Sequence, residues 1–206
     1  MTKNLDKDGL RSIVDNYQLF YVDLWGVVHN GISLHVEAIK ALQELTKKNK
    51  DYILLTNAPR PNHSVQSFLE KLGLQKEIRG HVFTSGEAAL LYLKKNLLDK
   101  KFFHLGPPRD FDLFKDFEKM KSNNIKYSDY ILCTGLFDDY NTDLKFYKNL
   151  LEKEVNKKMI CTNPDLIVDR GNTRELCAGS VAMVFEKMGG EVVYFGKPHP
   201  EVYNQS

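Results

Sequence analysis

The sequence predicts an α/β protein built on a parallel sheet, and three observations predict it. Apolar runs rich in β-branched and aromatic residues alternate with amphipathic stretches of helical spacing. Their order, strand then helix repeated along the chain, implies right-handed crossovers between parallel strands. Several of the apolar runs end on polar residues followed by glycine or proline, at the strand ends where open parallel sheets hold ligands.

The first apolar run is Leu19-Phe20-Tyr21-Val22, read as a buried strand, and Asp23 closes it ahead of Gly26 and Asn30-Gly31. A short helix is expected before it, over Asp8 to Tyr17, with Leu10, Ile13, Val14 and Tyr17 on one face. Val36 to Asn49 is the next helix, since Ala38, Ile39, Ala41, Leu42 and Leu45 recur at helical spacing. Asp51 to Asn57 is a second strand that ends on Thr56 and Asn57, and Ala58-Pro59-Arg60-Pro61 breaks it. Ser64 to Leu72 is amphipathic and stops at Gly73, a good helix end. Val82 to Ser85 is a short strand, and a helix runs from Ser85 to about Asn96.

The alternation then restarts. Strands are expected over Lys101–Leu105, Tyr130–Thr134, Met159–Thr162 and Val192–Phe195, with helices over Phe111–Met120, Thr142–Asn156 and Ala178–Met188. Gly106-Pro107-Pro108, Asn163-Pro164-Asp165 and Gly196-Lys197-Pro198-His199-Pro200 are the turns between or after them. The charged stretch around Asp99–Lys101 and the Pro-Pro pair are the boundary candidates for a second unit.

Composition narrows the function classes. At 206 residues, 42% hydrophobic and 27% charged, the chain is an ordinary globular one. A net charge of +2 argues for no nucleic-acid partner, and lysine pairs such as Lys47-Lys48 read as solvated helix faces. Cys133, Cys161 and Cys177 form no CxxC pair, and a reducing cytoplasm fits that usage. The first eight residues are polar and charged, unlike a signal peptide, and no apolar run is long enough to span a bilayer, so no membrane association is expected.

Asp23, the Thr56-Asn57 pair and Lys197 all follow strand ends, so a parallel sheet would aim them into one crevice. A carboxylate, a hydroxyl with an amide, and an ammonium make a coherent phosphate site.

These residues carry a resemblance. Asp23-Leu24-Trp25-Gly26-Val27 with Asn30-Gly31, then Leu54-Leu55-Thr56-Asn57, then Gly196-Lys197-Pro198-His199-Pro200, resemble the haloacid dehalogenase superfamily. Asn163-Pro164-Asp165 and Ala178-Gly179-Ser180 match its subclass IIA, the NagD-like and p-nitrophenylphosphatase-like hydrolases. The resemblance implies a Rossmann-like core, 1–99 and 191–206, with an inserted α/β cap of the C2 type over 100–190. It implies a cytoplasmic, magnesium-dependent phosphatase of small phosphorylated metabolites. Asp23 would be the nucleophile, forming an aspartyl-phosphate. Asp23 and the main-chain carbonyl of Trp25 would hold Mg²⁺. Thr56 and Asn57 would bind the phosphoryl group, and Lys197 would pair with Asp23 and the phosphate.

Two departures qualify the expectation. The family's acid/base carboxylate, two positions after the nucleophile, is here Trp25, whose indole N–H cannot shuttle a proton near neutral pH. His29 is the nearest titratable substitute, with loop packing as its other reading. The family's fourth motif, an acidic strand end after the lysine, does not occur before Ser206. Its absence would leave the Asp23 strand at an open edge, a route to self-association through that edge or the cap. Asp138 and Asp139 look like such a motif but precede Lys197, and are read as a helix-start cluster or as cap residues near substrate, not as metal ligands. The alternative function is a non-catalytic phosphate- or nucleotide-binding descendant of the fold.

Overall fold

A computed structural model describes residues 9–170 and 173–206. Strands β1 (Leu19–Val22), β2 (Asp51–Thr56) and β3 (Val82–Thr84) form a parallel sheet in that order. Helix α1 (Val36–Lys47) connects β1 to β2. Helix α2 (Asn62–Lys71) and the single turn α3 (Lys76–Arg79) connect β2 to β3. Leu24, Val28, Leu42, Leu54 and Leu69 bury together in this unit's core.

A second parallel sheet is built from β4 (Phe102–Leu105), β5 (Tyr130–Cys133), β6 (Lys158–Cys161) and β9 (Glu191–Tyr194), in that order. Between β6 and β9 the chain makes an antiparallel hairpin, β7 (Ile167–Arg170) and β8 (Thr173–Leu176). Alternation along the strands gives this sheet two faces. Phe102, Tyr130, Leu132 and Ile160 face helix α4 (Ser85–Asn96) and the segment after β4, whose Leu113, Phe114 and Phe117 are buried there. Ile131, Cys133, Met159 and Cys161 face α5 (Leu144–Leu151) and α6 (Ala178–Lys187) through Tyr147, Leu151, Val181 and Phe185. The last helix, α7 (Pro200–Gln205), adds Val202 to the first of these faces. The fold is thus α/β with parallel sheets, as the alternation predicts.

The structure refines several details. Residues 191–194 pair with β6 in the second sheet. Helix α4 packs its Ala88, Ala89, Leu90 and Leu93 against the second sheet. Strand β1, though an apolar run, is the open edge strand anticipated above, with Leu19 44% and Tyr21 43% exposed. The Asp8–Tyr17 helix is two 3₁₀ turns, Leu10–Ser12 and Val14–Asn16, broken at Ile13, where φ is −127°; Asp8 itself lies outside the described residues. The Thr142–Asn156 helix is confined to Leu144–Leu151, capped by Asp143, whose carboxylate accepts from the Lys145 and Phe146 amides.

One buried polar chain ties the two sheets together. The Arg60 guanidinium donates to Asp110 at 3.1 Å, Asp110 hydrogen-bonds Thr134, and Thr134 Oγ1 meets His104 Nε2 at 2.9 Å. Burial, reinforced by the charge of Lys121, pushes the His104 pKa down to about 3. An unfolded histidine titrates near about 6.5. Between those values the unfolded chain takes up a proton that folded His104 refuses, so stability falls as pH drops through that window. His104→Gln should flatten this acid loss. Denaturant unfolding of both proteins near neutrality and about two pH units lower checks it; equal pH slopes would contradict it.

Candidate active site

Asp23 directly follows β1, Thr56 is the last residue of β2, and Lys197 lies just past β9. The two sheets bring these ends together. Lys197 Nζ donates to Asp23 Oδ1 at 2.6 Å and to the Leu55 carbonyl at 2.9 Å. The Leu24 amide also binds Asp23 Oδ1, at 2.8 Å. Both bonds fall on Oδ1, so Oδ2 is left without a hydrogen bond among the described residues.

Asn57 sits at the centre, and its side chain is fully engaged. Its Nδ2 donates to Asp165 Oδ1 at 2.8 Å and to the Lys197 carbonyl at 3.0 Å, while its Oδ1 accepts from the Lys197 amide at 2.7 Å. An amide group has two donor hydrogens, and both are used here. The side chain therefore fixes the Lys197 backbone. Gly196 makes this approach possible. Its φ is +120°, and a Cβ there would lie 2.6 Å from Asn57 Oδ1. Thr56 is buried, and its Oγ1 accepts from the Ala58 amide at 3.3 Å, which leaves the hydroxyl hydrogen to donate.

Asp165 is the residue that sequence reasoning did not place here. In the sequence it belongs to the Asn163-Pro164-Asp165 turn, which matches the subclass IIA pattern but carries no role there. Burial of its carboxyl raises the pKa, the Asn57 hydrogen bond and the Lys197 charge oppose that, and Asp23 adds to the rise. The crevice therefore holds two carboxylates and one ammonium.

Trp25 does not stand where it could move a proton. Its indole Nε1 donates to the Asp169 carbonyl in β7 at 3.1 Å. His29 is buried, with its ring edge-on to both Trp25 and Phe68. Its Nδ1 accepts from the Gly31 amide at 3.0 Å. Burial, then His35, lowers its pKa, while Asp23 works the other way. His29 is therefore a packed loop residue here. Trp25→Phe should lose about 1 kcal/mol of stability with the hydrogen bond to β7. It should leave phosphate-ester turnover within the same order of magnitude, and steady-state kinetics beside thermal unfolding measures both.

The donor set suits a hard cation in type. The Asp23 carboxylate and the Trp25 carbonyl are oxygen ligands of the kind magnesium takes, and magnesium commonly completes its shell with waters and substrate phosphate. Among the described residues no group of three or more His, Cys, Asp or Glu side chains converges as a metal cage. Asp138 and Asp139 lie apart, in a 3₁₀ turn after β5, where Asp138 pairs with Arg109 at 2.9 Å.

The fold brings these strand-end residues to one crevice, and comparison supplies the family. The sequence pattern of haloacid dehalogenase-like hydrolases matches residues 20–118. A haloacid dehalogenase-like hydrolase from Brucella suis is 32% identical, with a TM-score of 0.84 over 95% of this chain and 72% of that one. A 4-nitrophenylphosphatase from Thermotoga maritima is 26% identical, with a TM-score of 0.69 over 94% of this chain and 73% of that one. A p-nitrophenyl phosphatase from Archaeoglobus fulgidus shares the fold at 17% identity and a TM-score of 0.69, over 92% and 72%. No protein of curated function matches. This chain belongs to the haloacid dehalogenase-like hydrolase family. Among the described residues no helix is long and apolar enough to cross a membrane.

Proposed function

We propose that the chain is a magnesium-dependent phosphatase of small phosphorylated metabolites that works through an aspartyl-phosphate. The 2.6 Å pair of Lys197 Nζ and Asp23 Oδ1, beside Thr56, carries the reading. Asp23 Oδ2 attacks phosphorus and the ester oxygen departs with its bonding electrons. Lys197 holds Asp23 aimed through the Nζ–Oδ1 hydrogen bond, and faces the charge of the transferring group. The Thr56 hydroxyl donates to a phosphoryl oxygen. Water then attacks the phosphorus of the aspartyl-phosphate, releasing phosphate and restoring Asp23. Magnesium, held by the Asp23 carboxylate and the Trp25 carbonyl, would supply positive charge to the phosphoryl oxygens.

Hydrolysis of p-nitrophenyl phosphate with magnesium, and its loss on chelation, is the test. Lys197→Met should lower kcat/KM by about 10²–10³-fold, the cost of removing one preorganised donor. An unchanged rate would remove Lys197 from the site. Trp25 favours a second reading, a phosphate-binding protein without turnover. Calorimetric phosphate binding with no hydrolysis would select it.

A further inference from the structure

A second crevice opens at the same sheet edge, between the ends of β4 and β5. The chain leaving β4 turns to one face of the sheet, where Leu113 and Phe114 are buried. The chain leaving β5 turns to the other, where Leu136 and α5 are buried. Two neighbouring parallel strands whose connections part to opposite faces leave a gap between their carboxyl ends, the place where open α/β sheets bind ligands. Here the gap is a cavity of about 700 Å³, within the size range of small-molecule sites. The Asp23 crevice lies elsewhere along the edge, since Asp165 and Lys197 follow β6 and β9.

The floor of the gap is fixed. His104 and Thr134, one from each strand, hydrogen-bond there. Gly106 lies so close that a Cβ would meet Thr134 Oγ1 at 2.1 Å. The walls carry an unusual feature. Tyr140 is 43% exposed, yet one face of its ring is stacked on Phe146 at 3.8 Å and 4°. An exposed ring held flat from behind is a preformed stacking platform. Around it stand charges of both signs. Lys121 lies over the Phe114 ring, and Asp139 carries no ion pair among the described residues.

That combination sorts ligands. Asp138 is already paired with Arg109, so a bare anion meets Asp139, a bare cation meets Lys121, and a purely apolar molecule would strip water from both without replacing it. A planar heteroaromatic ring satisfies all of them, with an apolar face for Tyr140 and in-plane donors and acceptors for Asp139 and Lys121. We propose that the β4–β5 crevice is a nucleobase site, able to bind a nucleoside independently of the Asp23 crevice.

Nucleosides carry no phosphate, so the proposal and the phosphatase reading can fail separately. Calorimetry of the full chain with adenosine, guanosine, cytidine and uridine tests it. At least one should bind saturably, one to one. Tyr140→Ala and Asp139→Asn, both at exposed positions, should weaken that binding about tenfold or more, the scale of base–aromatic stacking. Tyr140→Phe, which keeps the platform, and Asp23→Asn should leave it unchanged. The proposal is overturned if none of the four binds, if binding ignores Tyr140→Ala or Asp139→Asn, or if Asp23→Asn abolishes it.

Discussion

Asp23→Asn should reduce phosphate-ester hydrolysis by a factor on the order of 10⁴ or more, the scale seen when a nucleophile is deleted from an otherwise intact site. The substitution is nearly isosteric. Asn keeps an oxygen for the Leu24 amide and for Lys197 Nζ, so the loop after β1 has no reason to move. What disappears is the charged oxygen that attacks phosphorus. A far-ultraviolet spectrum and a thermal midpoint close to the wild-type values would show that the fold survives. A loss of only a few-fold, with the fold intact, would mean that water attacks the ester directly and Asp23 merely binds.

The second large effect concerns the leaving group. Position 25 offers an indole whose N–H is spent on the Asp169 carbonyl, and His29 is buried with Nδ1 occupied. Neither can protonate the departing ester oxygen. A missing general acid typically costs 10²–10⁴-fold, and the cost falls on alcohols that leave poorly as anions. The enzyme should therefore process p-nitrophenyl phosphate with a kcat/KM about 10²-fold or more above that for an alkyl phosphate of similar size. Acidic aryl leaving groups need little help, so the ratio isolates the proton. Near-equal kcat/KM values for the two esters would show that some group does supply it, and Asp165, the second carboxylate of the crevice, would be the first to substitute.

Much of this site was legible because its residues punctuate strong signals. Asp23, Thr56 and Lys197 each stand where an apolar run stops and a turn begins, and parallel strands aim such residues to one edge. What could not be read depends on partners distant in sequence. Nothing local to Asn57 says that both its amide hydrogens are committed to Asp165 and the Lys197 carbonyl, 108 and 140 residues away. Strand β9 reads as a strand from its own residues, but nothing local says that it pairs with β6 rather than with the first sheet. The β7–β8 hairpin escaped because Ile167 and Asp169 are both exposed, so no apolar face marks it. One miss did carry a signal. Phe111, Phe114, Phe117 and Met120 recur every third residue, which is the period of a 3₁₀ helix and not of an α-helix. The structure forms 3₁₀ segments there, Pro108–Leu113 and Lys115–Met120.

The central claim is that Asp23 becomes covalently phosphorylated at the meeting point of the two sheets. Acid-quenching the enzyme during turnover of p-nitrophenyl phosphate, then digesting it for mass spectrometry, measures this directly. The account predicts one added phosphoryl group on the peptide containing Asp23, labile to hydroxylamine and absent from Asp23→Asn. A phosphoryl group on any other peptide, or rapid turnover with the Asp23 peptide never modified, would contradict it.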